Sequence, residues 1–109
     1  MYKEAPFIPA YKDNAEFTPQ ESLVEVDMVN LKNWGLNHVR LGVMWEAVET
    51  SEGVYNTTYL DEVEQLINKL GEHGIWTMVD MHQDVLSRTN CGEGIPAFYA
   101  TMASAGAVC

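Results

Sequence analysis

His38-Val39-Arg40-Leu41-Gly42-Val43-Met44-Trp45 and Ile75-Trp76-Thr77-Met78-Val79-Asp80-Met81 are the two stretches that decide how this chain folds. Each is short, rich in β-branched and large apolar residues, and bounded by turn signals, the pattern of a buried strand. Between them, Leu60, Val63, Ile67 and Leu70 recur at helical spacing with Leu66 beside them, while Glu62, Glu64 and Lys69 fall off that stripe. The spacing predicts a helix from about Thr57 to His73, ended by Gly74. Upstream, Val24, Met28 and Leu31 form another apolar stripe, predicting a helix to about Trp34 with Gly35 as its left-handed cap. Thr18-Pro19-Gln20-Glu21 and Ser22-Leu23-Val24-Glu25 both fit a capping box at its start. Helix, strand, helix, strand is a βαβ arrangement, whose strands run parallel through a right-handed crossover. Parallel strands are ordinarily buried on both faces.

Two strands cannot supply such a sheet alone. They leave edges and one sheet face open, so a chain of 109 residues reads as part of a larger α/β protein. Around the unit, residues 1–19 carry prolines and scattered aromatics and read as an extended lead-in. Residues 46–56 read as a polar loop, and the chain is loop-like again from 83 to Pro96, then Ala-rich and able to form a helix. Trp34 and Trp76 read as core, and Trp45 as core in preference to a ligand-stacking ring. A net charge of −10 argues against a nucleic-acid backbone or an anionic membrane as main partner. No apolar run is long enough to span a bilayer, and Met1 to Pro6 carries no signal-like apolar segment. Cys91 and Cys109 could form one bridge in an oxidising compartment or stay reduced elsewhere; free thiols are the preferred reading. Asn56-Thr57-Thr58 is a glycosylation sequon, meaningful only in a secreted chain.

Chemistry in parallel α/β folds gathers at the carboxyl ends of the strands. Here those ends lead into Trp45-Glu46 and into Asp80-Met81-His82-Gln83-Asp84. If the second strand stays extended, Asp80, His82 and Asp84 share one face. Three ionisable groups there are costly unless they pair or serve a site, and the site is the favoured reading over caps and backbone bonds. Arg40, inside an apolar strand, demands a carboxylate partner. A structural ion pair with Asp80 and an arginine orienting a catalytic carboxylate are equally open readings. Cys91-Gly92-Glu93-Gly94 lacks the Lys-Ser/Thr pair of a phosphate cradle, and Glu93 reads as a solvated loop residue. Asp61, Glu62 and Glu64 read as solvated surface suiting the helix dipole.

The segment Trp34-Gly35-Leu36-Asn37-His38-Val39-Arg40-Leu41-Gly42-Val43-Met44-Trp45 resembles the helix 1 to strand 2 region of glycoside hydrolase family 5. Val48-Glu49 through Gly53-Val54-Tyr55-Asn56 is similar to the loop that follows, and Gly74 through Asp84 to strand 3. His82 to Pro96, HQDVLSRTNCGEGIP, resembles the endoglycoceramidase branch, as does Tyr2 to Pro9, YKEAPFIP, placed just after strand 1. Thr50, where the family commonly has Pro, and Ala97-Phe98, where Asp-Trp is usual, depart from the pattern.

The resemblance implies an incomplete (β/α)8 TIM barrel: residues 1–109 as one partial domain, with 1–19 the loop after strand 1, 20–98 helix-strand-helix-strand-loop, and 99–109 an unassigned tail. A complete barrel takes ~250 residues. It also implies retaining chemistry by two glutamates, an acid/base after strand 4 in an Asn-Glu pair and a nucleophile after strand 7. The chain contains no Asn-Glu dipeptide, so neither is expected in it and the chain alone is expected to be inactive. By the same resemblance Arg40 supports the nucleophile, while His82, Asp84 and Asp80 contact sugar, without cofactor or metal. The implied substrate is a glycolipid or oligosaccharide, most specifically the oligosaccharide–ceramide bond. Peripheral membrane contact through the lipid, a monomeric parent, and a secreted or lysosome-like setting accompany it. Competing readings are a family 5 enzyme on another β-glucoside or polysaccharide, a metal-dependent barrel hydrolase using Asp80, His82 and Asp84, and a non-catalytic remnant.

Overall fold

A computed structural model describes residues 23–105. The elements are α1 (Glu25–Asn33), β1 (His38–Val43), α2 (Trp45–Val48), β2 (Glu49–Ser51), β3 (Val54–Tyr55), α3 (Thr57–Glu72), β4 (Trp76–Met81), a 3-10 turn (Arg88–Asn90) and α4 (Ala97–Ala103). β1 and β4 pair in parallel, His38 opposite Trp76 through Val43 opposite Met81, with α3 as the crossover.

The candidate caps Thr18 and Ser22 lie outside the described residues. α1 begins at Glu25, and its Asp27 carboxylate accepts the Val24 N–H at 2.9 Å. This is the returning half of a capping box, shifted along the chain because Val24 has no side-chain acceptor of its own. The ends of α1 and α3 use one device. Gly35 and Gly74 take left-handed φ values of 77° and 75°. Leu36 N–H then bonds Leu31 O and Ile75 N–H bonds Leu70 O, both at 2.9 Å. These are Schellman closures, and each turns the chain out of a helix and straight into a strand.

Asn56 caps α3 by accepting the Tyr59 N–H at 3.1 Å. The buried stripe of α3 is Tyr59, Val63, Leu66 and Leu70, whereas Leu60 is 40% exposed. The aromatic ring of Tyr59 takes the place expected of Leu60, packing with Val43 and Val63. Met28, Leu66, Leu70 and Ile75 form the other half of the core, with Leu31, Val39 and Leu41 against it. Leu70 is fully buried there. Leu70→Ala is therefore expected to destabilise the folded protein by about 2–5 kcal/mol, read as a lowered denaturation midpoint at unchanged slope.

Alternation along the strands divides their side chains. Val39, Leu41 and Val43 face the helices. His38, Arg40, Trp76, Met78 and Asp80 occupy the opposite face. The expectation of strands buried on both faces does not hold: Trp76 is 76% exposed and Met78 49%, because no described element covers that face. Trp76 is thus not core, and neither is Trp34, which lies past the end of α1.

The region expected as a polar loop, 46–56, is ordered as α2 and the β2–β3 hairpin, turned at Gly53 with φ 74°. The Ala-rich segment after Pro96 forms the helix its composition allowed, α4, from Ala97 to Ala103. No helix among the described residues is long and apolar enough to cross a membrane.

Candidate active site

Arg40 rises from β1 and Asp80 from β4 on the open face, and His82 follows directly past the end of β4. Arg40 Nε donates to Asp80 Oδ2 at 3.0 Å, and Arg40 Nη2 lies 2.7 Å from the same oxygen. His82 Nδ1 meets it too, at 3.0 Å, and lies 3.4 Å from Arg40 Nη2. Burial is the largest single influence on Asp80 and pushes its carboxyl up. The hydrogen bonds from His82 and Arg40, with their charges, together outweigh it and hold the carboxyl below the ordinary carboxylate value. Asp80 is therefore an anchored carboxylate that orients a guanidinium and an imidazole.

The three acidic and imidazole groups expected on one strand face divide. Asp80 and His82 come together, but β4 ends at Met81 and Asp84 lies beyond it. Asp84 is held through its main chain, by a two-way pairing with Glu93 at 2.9 and 2.8 Å. This brings the loop 91–94 back over residues 82–84. Contrary to the solvated-loop reading, Glu93 Oε1 stands 3.8 Å from His82 Nε2. The signal for this lay in Gly92 and Gly94. A side chain at Gly92 would overlap the Asp84 carbonyl, and one at Gly94 would overlap Gln83.

The loop is tied down elsewhere. Gly94 O accepts the Glu46 N–H at 2.8 Å, and Arg88 Nε donates to both Glu46 oxygens at 3.1 and 3.0 Å. Cys91 ends the 3-10 turn at a left-handed φ of 63° and is disulfide-bonded, correcting the preference for free thiols. Val85 and Leu86 also have positive φ, 48° and 79°, conformations that β-branched and bulky residues rarely adopt.

Glu49 is a residue that sequence reasoning missed. It is 3% exposed and accepts from Trp45 Nε1 at 2.7 Å, Gly53 N–H at 2.7 Å and the Tyr99 hydroxyl at 3.0 Å. The available signal was a Trp and a Glu four apart ahead of a turn glycine. The Gly53 N–H is the main influence lowering the Glu49 pKa; burial opposes it, and the Trp45 and Tyr99 bonds add to it. The same bond to Glu49 raises the Tyr99 pKa. The Trp45 and Tyr99 rings meet at 5.1 Å, so α4 is latched onto α2 by one carboxylate and one aromatic contact.

A group whose folded pKa is depressed stabilises the fold above its ordinary value, 4.5 here, and loses that contribution as pH falls through the lower folded value. Glu49→Gln should therefore lower the thermal midpoint at neutral pH and flatten its decline on acidification. Unfolding curves recorded between about pH 7 and pH 3 check this.

No group of three or more His, Cys, Asp and Glu that could hold a metal ion occurs among the described residues. The Arg40 guanidinium already occupies the carboxylate such a centre would use.

A parallel βαβ unit with ionic groups gathered near the carboxyl end of a strand, here Asp80 and His82 at β4 met by Arg40 from within β1, is the construction of the (β/α)8 barrel enzymes, of which the described residues hold two parallel strands. Comparison with known proteins gives the same class. The chain belongs to glycosyl hydrolase family 5: the model of that family, described as Cellulase, matches residues 11–105. It is 40% identical over 98 residues to an endoglycoceramidase of Cyanea nozakii, covering 88% of this chain and 18% of that one. It is 42% identical over 77 residues to a glucosylceramidase of Cryptococcus neoformans var. grubii, covering 70% and 10%. Among solved structures it resembles endo-glycoceramidase II from Rhodococcus sp. in its cellobiose-like imidazole complex. That match has TM-score 0.65 and 38% identity, covering 72% of this chain and 19% of the other. The chain spans less than a fifth of the length of the curated relatives it matches.

Proposed function

We propose that this chain is a part of a retaining glycoside hydrolase that cleaves the bond between oligosaccharide and ceramide in glycosphingolipids. One observation carries the reading: the Arg40–Asp80–His82 constellation gathers at the carboxyl end of β4 in a chain 40% identical to an endoglycoceramidase. In this reading Arg40 keeps the nucleophile ionised and oriented, as a planar donor fork suits a carboxylate. His82 and Asp84 hold sugar hydroxyls, and Asp80 fixes the arginine and the imidazole. The acid/base and nucleophile are glutamates outside this chain, which must stand about 5–5.5 Å apart across the scissile bond. Asp80, committed to Arg40 and His82, takes neither role. The substrate is met at a membrane surface through its lipid.

A second reading, a glucosidase that removes a single glucose from a lipid, is favoured by the glucosylceramidase relative and by the sterylglucosidase structure of Cryptococcus neoformans, 32% identical with TM-score 0.63. Incubating the full-length protein with a fluorescent glycosphingolipid of several sugars separates the two. Release of intact oligosaccharide, abolished in His82→Ala, supports the first. Release of glucose from glucosylceramide, with the substrate of several sugars left intact, supports the second. Turnover by residues 1–109 alone above a His82→Ala control would contradict the placing of both glutamates outside the chain.

A further inference from the structure

We infer that Glu93 recognises the sugar, its carboxylate and His82 Nε2 together gripping two neighbouring hydroxyls of one ring. The inference rests on the glycoside reading above.

His82 Nδ1 is committed to Asp80 at 3.0 Å, so Nε2 is the ring nitrogen left for a ligand. Facing Nε2 is Glu93 Oε1, at 3.8 Å. That spacing is too long for a direct hydrogen bond, so each group keeps capacity for another partner. The carboxylate takes a donor and the imidazole nitrogen a hydroxyl in either role, and adjacent hydroxyls on a pyranose supply both side by side. An anionic ligand is disfavoured by the carboxylates of Asp80 and Glu93. A metal ion is disfavoured by the Arg40 guanidinium bound to Asp80.

Glu93 is held in this position by its loop. Its main chain pairs both ways with Asp84, and the glycines on either side let the two segments lie closer than any side chain would allow. The turn at Val85 and Leu86 that permits this return is held in an unfavourable backbone region. Such strain persists where surrounding contacts over-determine a position, and it clusters at ligand clamps. Glu93 nevertheless remains 43% exposed at its side chain, open to a ligand.

The test uses the full-length protein and glycosides carrying a chromogenic leaving group, the natural sugar and analogues each lacking one ring hydroxyl. On the natural sugar Glu93→Ala should lower kcat/KM by about 10–100-fold, the size expected for a hydrogen bond to a charged group. On one of the deoxy analogues the loss should nearly vanish, because the hydroxyl that Glu93 accepts from is already gone. Glu93→Gln, which keeps shape and one acceptor, should fall between, with an unchanged thermal midpoint. Equal losses on every analogue, or no loss on the natural sugar, would overturn the role of Glu93 and leave the glycoside reading standing. A protein that hydrolyses no glycoside at all would overturn both.

Discussion

Arg40→Ala, made in the full-length protein, is expected to lower kcat/KM by ~100-fold or more, in the range that loss of a preorganised charged donor costs a transition state. The thermal midpoint should move little. The Arg40 side chain is 59% exposed and its pair with Asp80 is of the solvent-facing kind that contributes weakly to folding. Two donors on one carboxylate oxygen are a large investment for so little stability, which is why orientation is the expected role. Arg40→Lys separates charge from geometry. A lysine restores the charge but not the planar fork, so recovery should be partial, and the pH profile of kcat/KM should shift on its acid limb because Asp80 loses part of what keeps it ionised. Parallel loss of folding and activity would show instead that the pair is structural.

Gly92→Ala is expected to damage the site severely. A Cβ there would overlap the Asp84 carbonyl and stand 2.8 Å from both the Asp84 carbonyl carbon and Val85 Cβ. The obstruction is backbone, which cannot rotate away as a long side chain can. The two-way pairing of Asp84 with Glu93 must open, carrying Glu93 away from His82. Displacement of binding groups by about 1 Å costs on the order of 100-fold in rate. The core of Met28, Leu66, Leu70 and Ile75 lies elsewhere, so circular dichroism in the far ultraviolet should stay unchanged while kcat/KM falls. A fully active Gly92→Ala protein would contradict the close approach of the loop.

Much of this architecture was readable from local pattern. The stripes of α1 and α3, both capping glycines and the two strands are consequences of period and turn chemistry within a few residues. The Arg40–Asp80 pair was one of two open readings, based on a guanidinium buried in an apolar strand; the pair forms, but on the uncovered sheet face, with Arg40 59% exposed. What escaped depended on partners distant in sequence. Glu49 looks like a loop acid until Tyr99 closes over it, and Glu93 looks solvated until the return of the chain at Gly92 and Gly94 is known. The tryptophans erred in the other direction. Burial of Trp76 was inferred from its composition, but burial is decided by what lies opposite, and no described element lies there.

The turn at Val85 and Leu86 has a practical meaning for anyone seeking to make this protein hardier. It is the first place a stability engineer would look, since replacing either residue by glycine removes a steric penalty from the native backbone. Yet glycine also widens what the unfolded chain can do, and it slackens the hinge that carries the loop back onto His82. A library selected for heat resistance alone would sample substitutions here that sharpen melting curves and blunt selectivity, so screening at this turn has to score both traits together.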